Sequence, residues 1–166
     1  MFQPGALIVY GRTGVCCVER VEEQNDRQYY CLQALYQKCR IRAPVNGKVV
    51  MRPVLTYAEA NSLIDHIPSV TVHPVECRAP RELTNHYLTA LNTCDASELL
   101  AMTMSIYAKK QQATKNKKKL GAIDERFLRE GESLLFGELG VSLGIAPEEV
   151  PNYIQTRISE QSSHKL

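Results

Sequence analysis

Ala6-Leu-Ile-Val-Tyr10-Gly11-Arg-Thr-Gly14-Val15-Cys-Cys-Val-Glu-Arg-Val21 decides the fold of this chain. Two apolar runs with β-branched members flank a four-residue segment that begins and ends in glycine. Runs this short, bounded by turn residues, read as neighbouring strands rather than helices. Outward from them, Glu22 to Arg27 is polar and holds Asn25-Asp26, a hairpin-turn pair. Gln28 to Leu35 reads as a third strand, and Cys39-Arg-Ile-Arg-Ala-Pro44 as a fourth with clear alternation. Asn46-Gly47 is the most favourable hairpin dipeptide available, and Lys48 to Arg52 is expected to return as a fifth strand. Five short strands with tight turns in about fifty residues predict a small, strongly bent antiparallel sheet or barrel.

The period changes after Pro53. Thr56-Tyr-Ala-Glu59 has capping-box spacing, and Ala60, Leu63, Ile64 and Ile67 follow on one side of a helix that stops before Pro68. Residues 68–80 contain Pro68, Pro74 and Pro80 and little periodicity, as expected of a linker. Arg81 to Asn92 carries Leu83, Tyr87, Leu88 and Leu91 at helical spacing. Asp95 opens a helix with Leu99, Met102 and Ile106 on its stripe, and the lysine-rich segment ends it. Asp124 is expected to cap a third helix, with Phe127, Leu128, Gly131, Leu134, Leu135 and Leu139 on a wide apolar face, closed by Gly144. Pro147 starts a fourth, which buries Val150, Ile154 and Ile158 and frays from Gln161. The expected class is therefore α+β in two domains: a β-rich domain over residues 1–67 with a short terminal helix, a linker over 68–80, and an all-α domain over 81–160.

The 166 residues are 44% hydrophobic and 23% charged, an ordinary globular composition. The net charge is only +2, but it is unevenly placed. Lys109, Lys110, Lys115, Lys117, Lys118 and Lys119 fall within eleven residues that hold no acid. Burying six ammonium groups without partners costs far more than folding returns, so this segment faces water or a polyanion. Phosphates are the polyanion that lysine clusters suit, through counterion release. A solvated connection between helices satisfies the same charges. In the fourth strand, Arg40 and Arg42 share one face and Ile41 the other. Two guanidiniums so placed either grip a partner's carboxylates or deter pairing along an edge.

No enzyme is expected. His66, His73, His86 and His164 lie at no metal-ligand spacing, and no Gly-x-Ser-x-Gly or phosphate-loop motif occurs. The six cysteines include no Cys-x-x-Cys pair and read as small buried hydrophobes, so neither a metal nor a cofactor is expected. Met1 to Gly5 lacks a basic region followed by an apolar one, and no apolar run approaches the roughly 18 residues that span a bilayer. A cytoplasmic protein, monomeric and without membrane contact, is the expectation.

Four segments in order resemble the CarD/CdnL family of bacterial transcription regulators. They are Met1-Phe-Gln-Pro-Gly5-Ala-Leu-Ile-Val-Tyr10-Gly-Arg-Thr-Gly14-Val; Ile41-Arg42-Ala-Pro44-Val; Met51-Arg52-Pro53-Val54-Leu; and Leu120-Gly-Ala-Ile-Asp-Glu-Arg-Phe-Leu128 with Leu134-Leu-Phe-Gly137-Glu138-Leu139-Gly-Val-Ser-Leu143-Gly. The resemblance implies a Tudor-like N-terminal domain that docks on the RNA polymerase β subunit, and C-terminal helices that contact promoter DNA without reading sequence and favour the open promoter. It places Arg42 at the family's polymerase-contacting arginine, with Arg40 and Arg12 as further candidates. On the DNA side it points to the six lysines. The family's wedge tryptophan, near the start of the first C-terminal helix, has no counterpart, since the chain contains no tryptophan. Arg81 and His86 are the candidates to contact DNA in its place. A module that binds polymerase and no DNA is the alternative.

Overall fold

A computed structural model describes residues 1–165. It is α+β: five antiparallel strands, β1 (Leu7–Tyr10), β2 (Gly14–Gln24), β3 (Arg27–Ala34), β4 (Arg40–Pro44) and β5 (Met51–Pro53), precede five helices. The helices are α1 (Tyr57–Asp65), α2 (Pro80–Thr93), α3 (Ala96–Lys115), α4 (Ala122–Leu143) and α5 (Val150–His164). Among the described residues, no helix is long and apolar enough to cross a membrane.

The sheet order is β4-β3-β2-β1-β5. It is open: β4 and β5 are its two edges, not partners. This corrects the expected hairpin at Asn46-Gly47. The Gly47 amide does turn back onto the Pro44 carbonyl, at 3.1 Å. The chain then crosses to the far edge, where β5 pairs with β1. Asn25-Asp26, by contrast, forms the expected tight hairpin. Both residues take positive φ, 53° and 58°, between the paired Gln24 and Arg27. This is the conformation whose twist suits two-residue hairpins.

One face of the sheet holds its own core: Ile8, Cys16, Val18, Tyr30, Leu32, Ala34 and Ala43. Phe2 covers this cluster, 5.7 Å from the Tyr30 ring, and its amide donates to the Tyr30 hydroxyl. On the other face, Val9 and Val15 are buried and line the junction with Leu91, Leu99, Leu134 and Glu138 of the helices. The helices thus cover the β1 end of this face. Toward β3 and β4 the same face is open.

The helical core gathers Leu83, Tyr87 and Leu91 of α2, Leu99, Met102 and Ile106 of α3, Phe127, Leu135 and Leu139 of α4, and Val150. Ala60 of α1 belongs to it as well, with Leu55, Leu63 and Ile67 packed alongside. The helix expected to close the sheet domain therefore buries its apolar side among the C-terminal helices. Thr56 and Glu59 form the expected capping box at its start.

Two helix ends, those at the start of α4 and the end of α5, differ from expectation, while the lysine-rich segment ends α3 as expected. Asp124 is not the cap of α4; Gly121 precedes the helix, and the Asp124 side chain is buried within its first turn. α3 runs through Lys115, so three of the six lysines are helical. α5 continues past Gln161 to His164. Its start at Val150 tolerates Pro151, because the first turn of a helix has no intrahelical acceptor for those amides.

Candidate functional site

The open half of the sheet is built by alternation interrupted once. Val18 pairs with Leu32, but Arg20 pairs with Cys31, so Glu19 is an extra residue in β2. This bulge moves Arg20 and Glu22 to the face opposite Val18, and leaves Val21 beside Tyr30 and Ala43. The resulting face carries Arg20, Glu22 and Gln24 of β2, Tyr29, Cys31 and Gln33 of β3, and Arg40 and Arg42 of β4.

Arg42 sits on its edge strand, β4, opposite Cys31 of β3. Its guanidinium lies 4.2 Å above the Tyr29 ring, its Nη2 donates to Gln24 Oε1 at 2.5 Å, and its Nε is 3.6 Å from Glu22 Oε2. Its side chain is still 44% exposed. Glu22 is also held by Arg20, at 2.7 Å, and this bond keeps its carboxyl below the usual range. Arg40 donates to Gln33 and is 77% exposed. Arg12 is not part of this face. It lies in the β1–β2 connection and donates through Nε and Nη2 to Glu130 of α4, at 2.8 and 2.6 Å.

The six lysines divide into two groups. Lys109 is only 17% exposed; its Nζ reaches Asp124 at 2.9 Å. Asp124 also accepts from the Tyr87 hydroxyl at 2.5 Å, and burial followed by this bond pushes the Tyr87 pKa up. Lys109 is thus engaged in tying α2, α3 and α4 together. Lys110, Lys115, Lys117, Lys118 and Lys119 are exposed. The end of α3 is ordered by its own backbone: Lys118 N–H donates to Ala113 O at 2.8 Å, and Lys117 N–H to Thr114 O at 3.1 Å. Lys117 takes the left-handed position, φ 54°, that glycine usually fills in this motif. Lys117, Lys118 and Lys119 therefore leave from a fixed turn.

Arg81 is exposed in the first turn of α2. The Tyr87–Asp124–Lys109 cluster sets α2 against the C-terminal half of α3, so this end of α2 is on the side of the lysines. His86 is exposed but elsewhere: it lines a cleft with His73, Glu98 and Ser105. Tyr87 is wholly buried. Among the described residues, no group of His, Cys, Asp or Glu is arranged to hold a metal.

Sequence reasoning missed the residues that join these surfaces. Arg52 of β5 meets Glu138 of α4 in a bidentate pair, at 2.6 and 2.8 Å, and donates through Nε to the Cys94 carbonyl between α2 and α3. Glu138 is 2% exposed and also accepts the Leu55 amide at 2.9 Å. Hydrogen bonding to Glu138 holds the Arg52 pKa up. The signal was available: a lone acid, Glu138, stands on the apolar face of a helix.

The family model for the CarD-like/TRCF RID domain matches residues 2–55, all five strands and the two residues after them. No curated protein matches the chain. Residues 2–55 are a CarD-like RNA polymerase-interacting domain, which links the chain to RNA polymerase in transcription.

Proposed function

We propose, from a CarD-like RNA polymerase-interacting domain at residues 2–55, that this chain is a non-enzymatic transcription adapter. Its open sheet face docks on the RNA polymerase β subunit as a Tudor-like module, with Arg42 as the central contact and Arg40 beside it. The exposed lysines, Lys110, Lys115, Lys117, Lys118 and Lys119, with Arg81, lie along promoter DNA. Their contacts are to phosphates, which position a protein without reading sequence. Without a tryptophan wedge, the gain on opening the promoter comes from contacts that the open complex alone offers, so binding shifts a population. A monomer in the cytoplasm suffices for this role.

The observation that carries this reading is the half-covered sheet. The helices bury one end of its outer face and leave bare the end on which Arg42 is held over Tyr29. A guanidinium fixed in orientation and still accessible is suited to bidentate capture of a carboxylate. Two observations favour the second reading, a polymerase-binding module that contacts no DNA: Lys109 is consumed internally by Asp124, and acids balance bases over residues 75–166.

One experiment separates them. The isolated polymerase β lobe and fork-junction DNA are each titrated with wild type, with Arg42→Glu, and with Lys115, Lys117, Lys118 and Lys119 all changed to Ala. Arg42→Glu is expected to abolish polymerase capture and spare DNA binding. The lysine variant is expected to flatten the dependence of log K on log salt by about 0.9 for each phosphate it no longer neutralises. An unchanged slope removes the lysines from the interface. Polymerase capture with no DNA binding at low salt selects the second reading.

A further inference from the structure

A cleft of about 390 Å³ opens at the seam between the sheet and α4, and neither Arg42 nor any of the six lysines lines it. Arg12 from the β1–β2 connection, Tyr36 and Gln37 from the loop after β3, and Arg126, Arg129 and Ser133 of α4 line it. Three guanidiniums and one carboxylate, Glu130, face this space. Glu130 is already engaged by Arg12. Among the described residues, neither Arg126 nor Arg129 has a carboxylate partner. The lining therefore carries two uncompensated positive charges at close quarters, an arrangement that an anion relieves.

Three of its walls are fixed before any ligand arrives. The Arg126 guanidinium rests 4.7 Å from the centre of the Phe127 ring, and Phe127 is wholly buried. Arg12 is oriented by its two bonds to Glu130. Tyr36 donates its hydroxyl to the Gly137 carbonyl at 2.9 Å, and its ring lies against Gly137, where a Cβ would come within 3.0 Å of it. The tyrosine is nonetheless 47% exposed, so aromatic surface remains open to the cleft. Guanidiniums match phosphate oxygens in a bidentate fork, and an open aromatic face accepts a planar ring. The volume lies within the usual range for small-molecule sites.

We propose that this cleft binds a small phosphorylated ligand of the nucleotide class, with its phosphates on Arg12, Arg126 and Arg129 and its base against Tyr36. Such a ligand touches the strand connection and α4 together, so its binding reinforces the contact between sheet and helices.

Isothermal titration of the full chain with ADP and with pyrophosphate, at low salt, tests this. Saturable one-site binding is expected for both, tighter for ADP. Changing Arg126 and Arg129 together to alanine is expected to weaken ADP binding about tenfold or more. Both side chains are exposed, and circular dichroism checks that the variant folds. Tyr36→Ala is expected to erase the advantage of ADP over pyrophosphate, and Tyr36→Phe to keep it. Three results overturn the proposal: no heat with ADP at millimolar concentration, equal ADP affinity in the double variant, or arginines that duplex DNA requires and ADP does not. None of these bears on polymerase capture or on the lysine salt slope, so the adapter role stands or falls separately.

Discussion

Arg42 keeps its charge 4.2 Å above the Tyr29 ring while nearly half its side chain faces solvent. A cation over an exposed ring contributes about 0.5–1 kcal/mol, enough to bias orientation and too little to carry the fold. Arg42→Lys is therefore expected to leave the thermal midpoint unchanged and to weaken polymerase capture several-fold, because a point charge replaces a planar fork; equal capture would make the fork irrelevant. Glu132 offers a pH test. Partial burial raises its pKa above the ordinary 4.5, and Lys110 offsets this in part. The folded state thus holds its proton more tightly than the unfolded state. The ionised form costs stability above the raised midpoint; the cost fades as pH falls through it and is absent below 4.5. Glu132→Gln should raise the denaturation midpoint at pH 7 and make no difference below pH 4.5, as read by urea titration at both pH values.

Elements here approach as closely as glycine permits. At Gly131 of α4, a Cβ would stand 2.7 Å from Met102 Cε and 2.8 Å from Thr103 Cγ2 of α3. Gly131→Ala must push the two helices apart or force a rotamer, at a cost of about 1–3 kcal/mol. An unchanged urea midpoint would show that Met102 yields freely. The strands and helices themselves were legible: turn residues at Asn25-Asp26, the capping box at Thr56, and Gly144 in its left-handed position, φ 73°, all stand where local chemistry puts them. What local chemistry did not reveal was pairing. Asn46-Gly47 makes a turn, but a turn does not dictate which strand the chain joins next. The bulge at Glu19 was equally hidden, because strict period two assigns Arg20 to the inner face of the sheet. Lys109 read as a free cation because its partner, Asp124, is 15 residues away in sequence and is itself held by Tyr87, 37 residues before it.

At the scale of the whole molecule, α4 joins the helical core to the covered face of the sheet, while the sheet's own core lies on its other face. Leu134 packs near Gly14, Gly137 lies under Tyr36, Glu130 takes Arg12 and Glu138 takes Arg52. Positions 130, 134, 137 and 138 form one stripe of a helix, so α4 presents a single face to the sheet. Arg52–Glu138 is the most buried pair of this set, and removing Arg52 strands the carboxylate of the buried Glu138 away from solvent. Arg52→Met is expected to cost about 3–5 kcal/mol in chemical denaturation, and Arg52→Met with Glu138→Leu to recover much of that loss. Equal stability of the single and double variants would refute the pair's burial as the cause. Arg12→Ala, at the exposed rim, should cost less than about 1 kcal/mol.

The sequence by itself determined the order and type of the elements, the sheet before the helices, the solvent-facing lysines and the apolar stripes, because these follow from side-chain periodicity and the conformational limits of a few turn residues. The tertiary structure alone decided which half of the sheet stays bare, which lysine is spent on Asp124, and where Arg12 and Arg52 find their carboxylates. Those outcomes depend on contacts between residues far apart in the chain, and no local pattern encodes which distant partner a charge will meet.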